Sequence, residues 1–174
     1  MPVVRTKRNA RKPDCISILM IINSSGCGQT RNDTSPLLKS YAAVMSPDFS
    51  VYSDFPKAAK IWNVYRNMWL ACYWQCYGMT VIPTIMWGAP DTFEYCFDGF
   101  PTDSIVSVST DGSAMSDERS TSFMTGYNEM LDRLNPSGII VHGRVFDGMK
   151  GNIICQIDTM TSQIKRRIKE NGLK

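Results

Sequence analysis

The chain has 174 residues, 43% hydrophobic and 20% charged, with six cysteines, one histidine and a formal net charge of +3. That length supports one domain with its own core, and the apolar content excludes a disordered chain. No apolar run approaches the ~18 residues of a membrane span, so no membrane partner is expected.

The first apolar run, CISILMI from Cys15, follows a basic start and reads as an early strand of the sheet. It leads into NSSGCGQ rather than a small-x-small cleavage site, so export is not expected. YAAVMSP (41–47) reads as a buried strand, and Pro56 to about Tyr77 as a helix that is apolar almost all round and therefore deeply covered. Gly78 closes that helix. MTVIPTIMW (79–87) is the next strand, and GAPDTFEYCFDGFP is a loop with one helical turn. SIVSVST (104–110), a helix from about Ser120 to Leu134, and GIIVHGR (138–144) continue the alternation, followed by a short strand NIICQI. A basic helix with Met160, Ile164 and Ile168 on one stripe ends the chain.

These strands are apolar on both faces, as strands covered by helices must be. Single strand–helix–strand crossings imply parallel pairing with right-handed connections. The predicted fold is α/β, a mainly parallel sheet of four to five strands with crossover helices, open or half-barrel-like. Its predicted organisation is a basic arm over 1–12, one α/β domain over 13–158 and the basic helix over 159–174. Charge is segregated in the same way: residues 1–12 hold five bases and no acid, whereas 13–164 hold nine bases against fifteen acids. The ends pair with the acidic body or touch nucleic acid.

Cys15, Cys27, Cys72, Cys76, Cys96 and Cys155 form no CxxC pair, and His142 alone cannot complete a zinc finger. Cys72 and Cys76, one helical turn apart, read as two small core residues ahead of a metal pair. Free thiols fit a reducing cytoplasm.

In a parallel sheet the loops leaving the C-terminal strand ends gather on one rim, beside helix N-termini. Here they are PDFSVYSD, WGAPD, STDGS and HGRVFDG. Asp54, just before Phe55-Pro56, reads as a helix cap ahead of a ligand contact. Asp48, at the strand end, suits a base, a metal ligand or a partner for a ligand hydroxyl. Arg66, flanked by Asn63 and Asn67, needs a carboxylate or an anionic ligand. STDGS, before a helix start, offers Ser109, Thr110, Asp111 and Gly112 to a phosphate, although no P-loop or dinucleotide fingerprint is present. Trp87 either stacks on a base or sugar ring or caps the core. His142 reads as a satisfied strand histidine ahead of a catalyst, and no serine-hydrolase motif accompanies it.

SPDFSVYSDFP, IWNVYRNMW, GMTVIPTIMWG, FDGFP and FMTGYNEMLDRLNPSGIIVHG together resemble an uncharacterised family of small proteins carried by phages and mobile genetic elements. The resemblance covers roughly residues 40–144. It implies a phage-encoded or prokaryotic protein of the bacterial cytoplasm, with Asp48, Ser50, Asp54, Asn63, Arg66, Pro83, Trp87, Gly99, Gly112, Gly126 and Gly143 as motif positions.

The expected function is binding, with processing as its enzymatic form, of a phosphate-bearing small molecule or nucleic-acid end at that rim. Asp48 and Asp111 supply carboxylates in catalytic positions. Ser50, Asp54, Asn63, Arg66, Trp87, Ser109, Thr110, Gly112 and Gly143 supply ligand contacts. The enzymatic form is a metal-dependent phosphoesterase with Mg²⁺ or Mn²⁺ held by rim carboxylates. The alternative is a non-enzymatic interaction protein that inhibits or recruits a host defence or replication factor.

Overall fold

The computed structural model describes residues 41–111, 116–158 and 168. The early CISILMI strand, the basic arm, Gly112 and the C-terminal helix apart from Ile168 lie outside these residues. In chain order the described elements are β1 (Val44–Met45), α1 (Lys57–Cys76), β2 (Val81–Ile82), β3 (Thr84–Ile85), a 3₁₀ turn (Pro90–Thr92) and α2 (Phe93–Cys96). They continue as β4 (Ile105–Ser109), α3 (Asp117–Leu134), β5 (Gly138–His142) and β6 (Ile153–Ile157).

All described strand pairings are parallel. β1 pairs with β2, and β3, β4, β5 and β6 pair in that order. The two ladders meet at Pro83, which splits the predicted 79–87 strand. Proline has no N–H for the ladder. Its carbonyl accepts from Ser107 N–H at 2.9 Å, and the next N–H, of Thr84, turns to Ser46 Oγ at 2.8 Å. Counted through Pro83, each strand lies beside its predecessor in the chain, as in an incomplete barrel.

The helices cover one face. From α3, Phe123, Tyr127, Met130 and Leu134 recur at helical spacing and pack on Ile85, Val106, Val108, Ile139 and Val141. From α1, Ala71 and Trp74 pack on Val44, Met79 and Val81. The other face is built differently. Ala43, Met45, Ile82, Ile140 and Cys155 form one buried cluster, with Ile105 and Ile157 against it. Residues of the first and last described strands share this cluster, so the sheet curls around it. This is the predicted half-barrel-like α/β architecture.

Two further expectations change. α3 begins at Asp117 rather than near Ser120, because the Ser116 side chain caps it by accepting from Arg119 N–H at 3.3 Å. α1 is not covered all round: Ile61, Trp62, Tyr65 and Trp69 are exposed, and so are Cys72 and Cys76. With one buried flank on the sheet, a helix rich in aromatics still leaves its far side outward. The rings there stack on each other, Trp62 on Tyr65 and Trp69 on Tyr73, with centroids 5.6 and 5.2 Å apart.

Candidate functional site

The segment after β1 is held by the polar residues of α1. Asn67, itself fully shielded from solvent, donates its amide hydrogens to the carbonyls of Pro47 and Thr84, each at 2.9 Å. One turn earlier, Asn63 donates to the Ser50 carbonyl at 2.6 Å. The Arg66 guanidinium lies over the Phe49 ring, 3.7 Å from its centroid. Asn63, Arg66 and Asn67 share one helix face through their three- and four-residue spacing. Together they grip Pro47–Ser50 from both sides of Asp48. Phe49 and Val51 anchor the same segment among Val64, Met86 and Cys96.

Held there, Asp48 meets the ends of β4 and β5. The Ser109 hydroxyl lies beside its carboxyl group and favours the charged form, and Ser109 Oγ accepts from Asp111 N–H at 3.4 Å. Ser109 stands opposite His142 in the parallel register, so the two side chains project from adjacent strand ends on the same face. By that alternation they belong to the concave face with Ile105 and Ile140, while Val108 and Val141 point to α3.

Burial dominates the electrostatics. It pushes the Asp48 carboxyl above the usual carboxylate range; the Ser109 hydrogen bond and His142 oppose that rise, and the Asp111 charge adds to it. Burial also pulls His142 below its ordinary value, against Asp111 and Asp48. Both shifts run towards the neutral form, and a carboxyl group beside an imidazole can give and take hydrogen bonds or a proton.

Thr110 and Gly143 frame the histidine. Thr110 N–H donates to the His142 carbonyl at 2.9 Å. Gly143 has φ +115°, and a Cβ there would lie 2.4 Å from Thr110 Oγ1, so only glycine fits. The Gln156 amide ties the Gly143 carbonyl to β6 at 3.0 Å.

Of the predicted site residues, Asp48, Ser109 and Asp111 converge, with Thr110 and Gly143 behind them and Asn63 and Arg66 holding the Asp48 segment. Ser50 contributes its carbonyl, while its side chain is on an exposed residue. Asp54 is exposed and does not cap α1: Pro56 occupies the cap position, and no side chain caps that end. A cap must stand one residue before the helix, and Asp54 lies too far upstream. Trp87 packs between Phe97 and Phe123, with Gly126 of α3 beneath it, as part of the core. His142, read from sequence as a satisfied strand histidine ahead of a catalyst, stands opposite Ser109 at the end of the neighbouring strand. The available signal was register, since Ser109 and His142 both end neighbouring strands.

Two chemistries fit the described residues poorly. No three His, Cys, Asp or Glu side chains among them are placed to hold a metal ion together, so no step is assigned to Mg²⁺ or Mn²⁺. The start of α3 carries Asp117 and Glu118 in its first turn, which repel an anion from the helix N-terminus.

The geometry defines a parallel α/β domain with a polar cluster at the C-terminal rim of a curled sheet. Residues 27–159 match the family described as Domain of unknown function (DUF4417), and the chain belongs to that family. It is 42% identical over 110 residues to the "Gene 1 protein" of Mycobacterium phage D29 and 43% identical over 108 residues to that of Mycobacterium phage L5. Those alignments take in 63% and 62% of this chain but 41% and 47% of the relatives, so the chain spans less than half the length of the curated relatives it matches. No solved structure matches. The expected kinship with uncharacterised phage-borne proteins is met. No helix among the described residues is long and apolar enough to cross a membrane.

Proposed function

We propose that the rim cluster binds a phosphate-bearing ligand of the nucleotide class, either a free nucleotide or a nucleic-acid end. The observation that carries this reading is the convergence of Asp48, Ser109, Asp111 and His142 from three separate strand ends. Asn63, Arg66 and Asn67 on α1 keep the Asp48 segment in place. Buried polar groups are costly to the fold unless a partner or a function compensates them. Proton transfer between Asp48 and His142 is the chemistry this arrangement offers to a bound ligand.

The test is the melting temperature of the full chain with a panel of nucleotides and short oligonucleotides, since a ligand of the native state raises it. At ligand concentrations about a hundredfold above Kd the gain is about 2.7 kcal/mol. Ser109→Ala or His142→Gln should remove the ligand-induced rise without lowering the ligand-free melting temperature much. A rise that survives both substitutions rejects the rim as the binding site.

A second reading, an interaction role against a host defence or replication factor, draws support from the exposed Ile61, Trp62 and Tyr65 on α1. Trp62→Ala with Tyr65→Ala should then abolish capture of that factor while leaving any nucleotide response intact.

A further inference from the structure

We infer that the outward face of α1 packs against the same face of a second copy of this chain, so that the protein pairs as a two-fold dimer. This assigns the α1 face to a second copy in place of the host factor of the second reading, and it is independent of what binds at the rim.

The two long helices differ on their solvent side. Every exposed residue of α3 is polar or charged, Ser122, Thr125, Asn128, Asp132 and Arg133 among them. That is the solvated face a helix packed on a sheet ordinarily keeps. Along α1, from Ala58 to Cys76, every exposed residue is apolar, aromatic or cysteine. At the start of that helix, Lys57 and Lys60 are paired with Glu94 and Asp91.

The spacing selects a helix as the complementary surface. Ala58, Trp62, Tyr65, Trp69, Cys72 and Cys76 follow one another at intervals of four, three, four, three and four residues. Alternating intervals of three and four keep a seam turned towards a second helix along its whole length. A two-fold interface also needs a surface that complements itself. This seam does, because it holds no charge that would face its like across the dyad. Among the described residues α1 alone carries such a seam, and a second copy supplies another.

The area is sufficient. Trp62 and Tyr65 are 57% and 54% exposed, and Ile61 and Trp69 42% and 37%. With about 150–250 Å² for an aromatic side chain, the seam offers about 500 Å² of apolar surface, at the upper end for a monomer. Pairing two copies buries about 1,000 Å², the size at which specific interfaces begin.

Sedimentation velocity of the full chain at rising concentration tests this and should show monomer passing into dimer. Trp62→Glu with Tyr65→Glu should raise the dimer dissociation constant at least about 30-fold, the scale of aromatic anchors at an interface centre. Ala58→Glu, a milder change on the same seam, should act in the same direction should the double variant fail to fold. Ile154→Glu, at an exposed apolar residue of β6, should leave the dimer intact. Iodoacetamide labelling mapped by peptide mass gives a second readout: Cys72 and Cys76 should be protected as the dimer fills, while buried Cys96 and Cys155 label slowly throughout. A monomer at every concentration with Cys72 and Cys76 reactive overturns the inference and returns the face to a different protein. A monomer with both cysteines protected overturns it and gives the face to another part of the same chain. A dimer that survives the Trp62, Tyr65 and Ala58 substitutions overturns it by placing the interface elsewhere.

Discussion

The two faces of the curled sheet follow opposite rules although the same strands build them. On the helix-covered face Val106, Val108, Ile139 and Val141 are all buried, in one cluster with Phe123, Tyr127, Met130 and Leu134 of α3. On the concave face the character changes along each strand. β4 runs Ile105, Ser107, Ser109 and β5 runs Gly138, Ile140, His142, apolar at the base and polar at the rim. Ser107 is 1% exposed, so the change is not a drift towards solvent. The covered face is organised for stability. The concave face uses its upper half for groups that a stability-driven fold would leave out.

Substitutions on each face break or sharpen this contrast. The largest effect belongs to the covered face: Ile139→Ala, at a fully buried position, should cost about 2–5 kcal/mol in urea unfolding and leave ligand response at the rim intact. Gly126→Ala comes next. Its Cβ would fall 2.1 Å from the Trp87 ring, and the overpacking should cost about 1–3 kcal/mol by the same measurement. A cost near zero would show that the Trp87 layer is loose and the covered face less exacting than its packing implies.

The concave face should answer with smaller effects of a different sign. Folding raises the Asp48 pKa, so its penalty is absent below the unfolded carboxylate value of about 4 and grows as pH rises through the folded value. Asp48→Asn should therefore raise the melting temperature at neutral pH, with the gain vanishing in acid, while impairing ligand binding. Folding lowers the His142 pKa, so stability present above about pH 6.5 is lost as pH falls through the folded value. His142→Gln should flatten that loss, as read from melting curves across pH. A wild-type stability profile indifferent to both substitutions would place the two groups in solvent and dissolve the contrast.

Much of this was legible before any coordinates. β4 and β5 fall where their β-branched runs place them, and α1 spans Lys57–Cys76, close to the predicted Pro56–Tyr77. Pro83, in the middle of an expected strand, was itself a readable warning of the break. The outward aromatics of α1 were not legible, because a helix apolar all round gives no periodic cue to which flank meets the sheet. Asp54 misled because its residue type suits a cap, whereas capping depends on one exact backbone position. His142 gave no cue in isolation; only the register places it beside Ser109 and within electrostatic reach of Asp48 and Asp111.

The sequence by itself determined the order of strands and helices, the parallel pairing, the rim that carries the polar loops and the candidacy of Asp48. These follow from periodicity, turn chemistry and the handedness of crossovers, which are local or nearly so. Tertiary structure decided which candidates meet. It brought Asp48 to Ser109, set His142 beside them and turned Trp87 into the core. It also committed Asn63, Arg66 and Asn67 to holding the PDFS segment. Those outcomes depend on strand register and on desolvation by neighbours distant in the chain, and both exist only once the sheet has curled and closed over them.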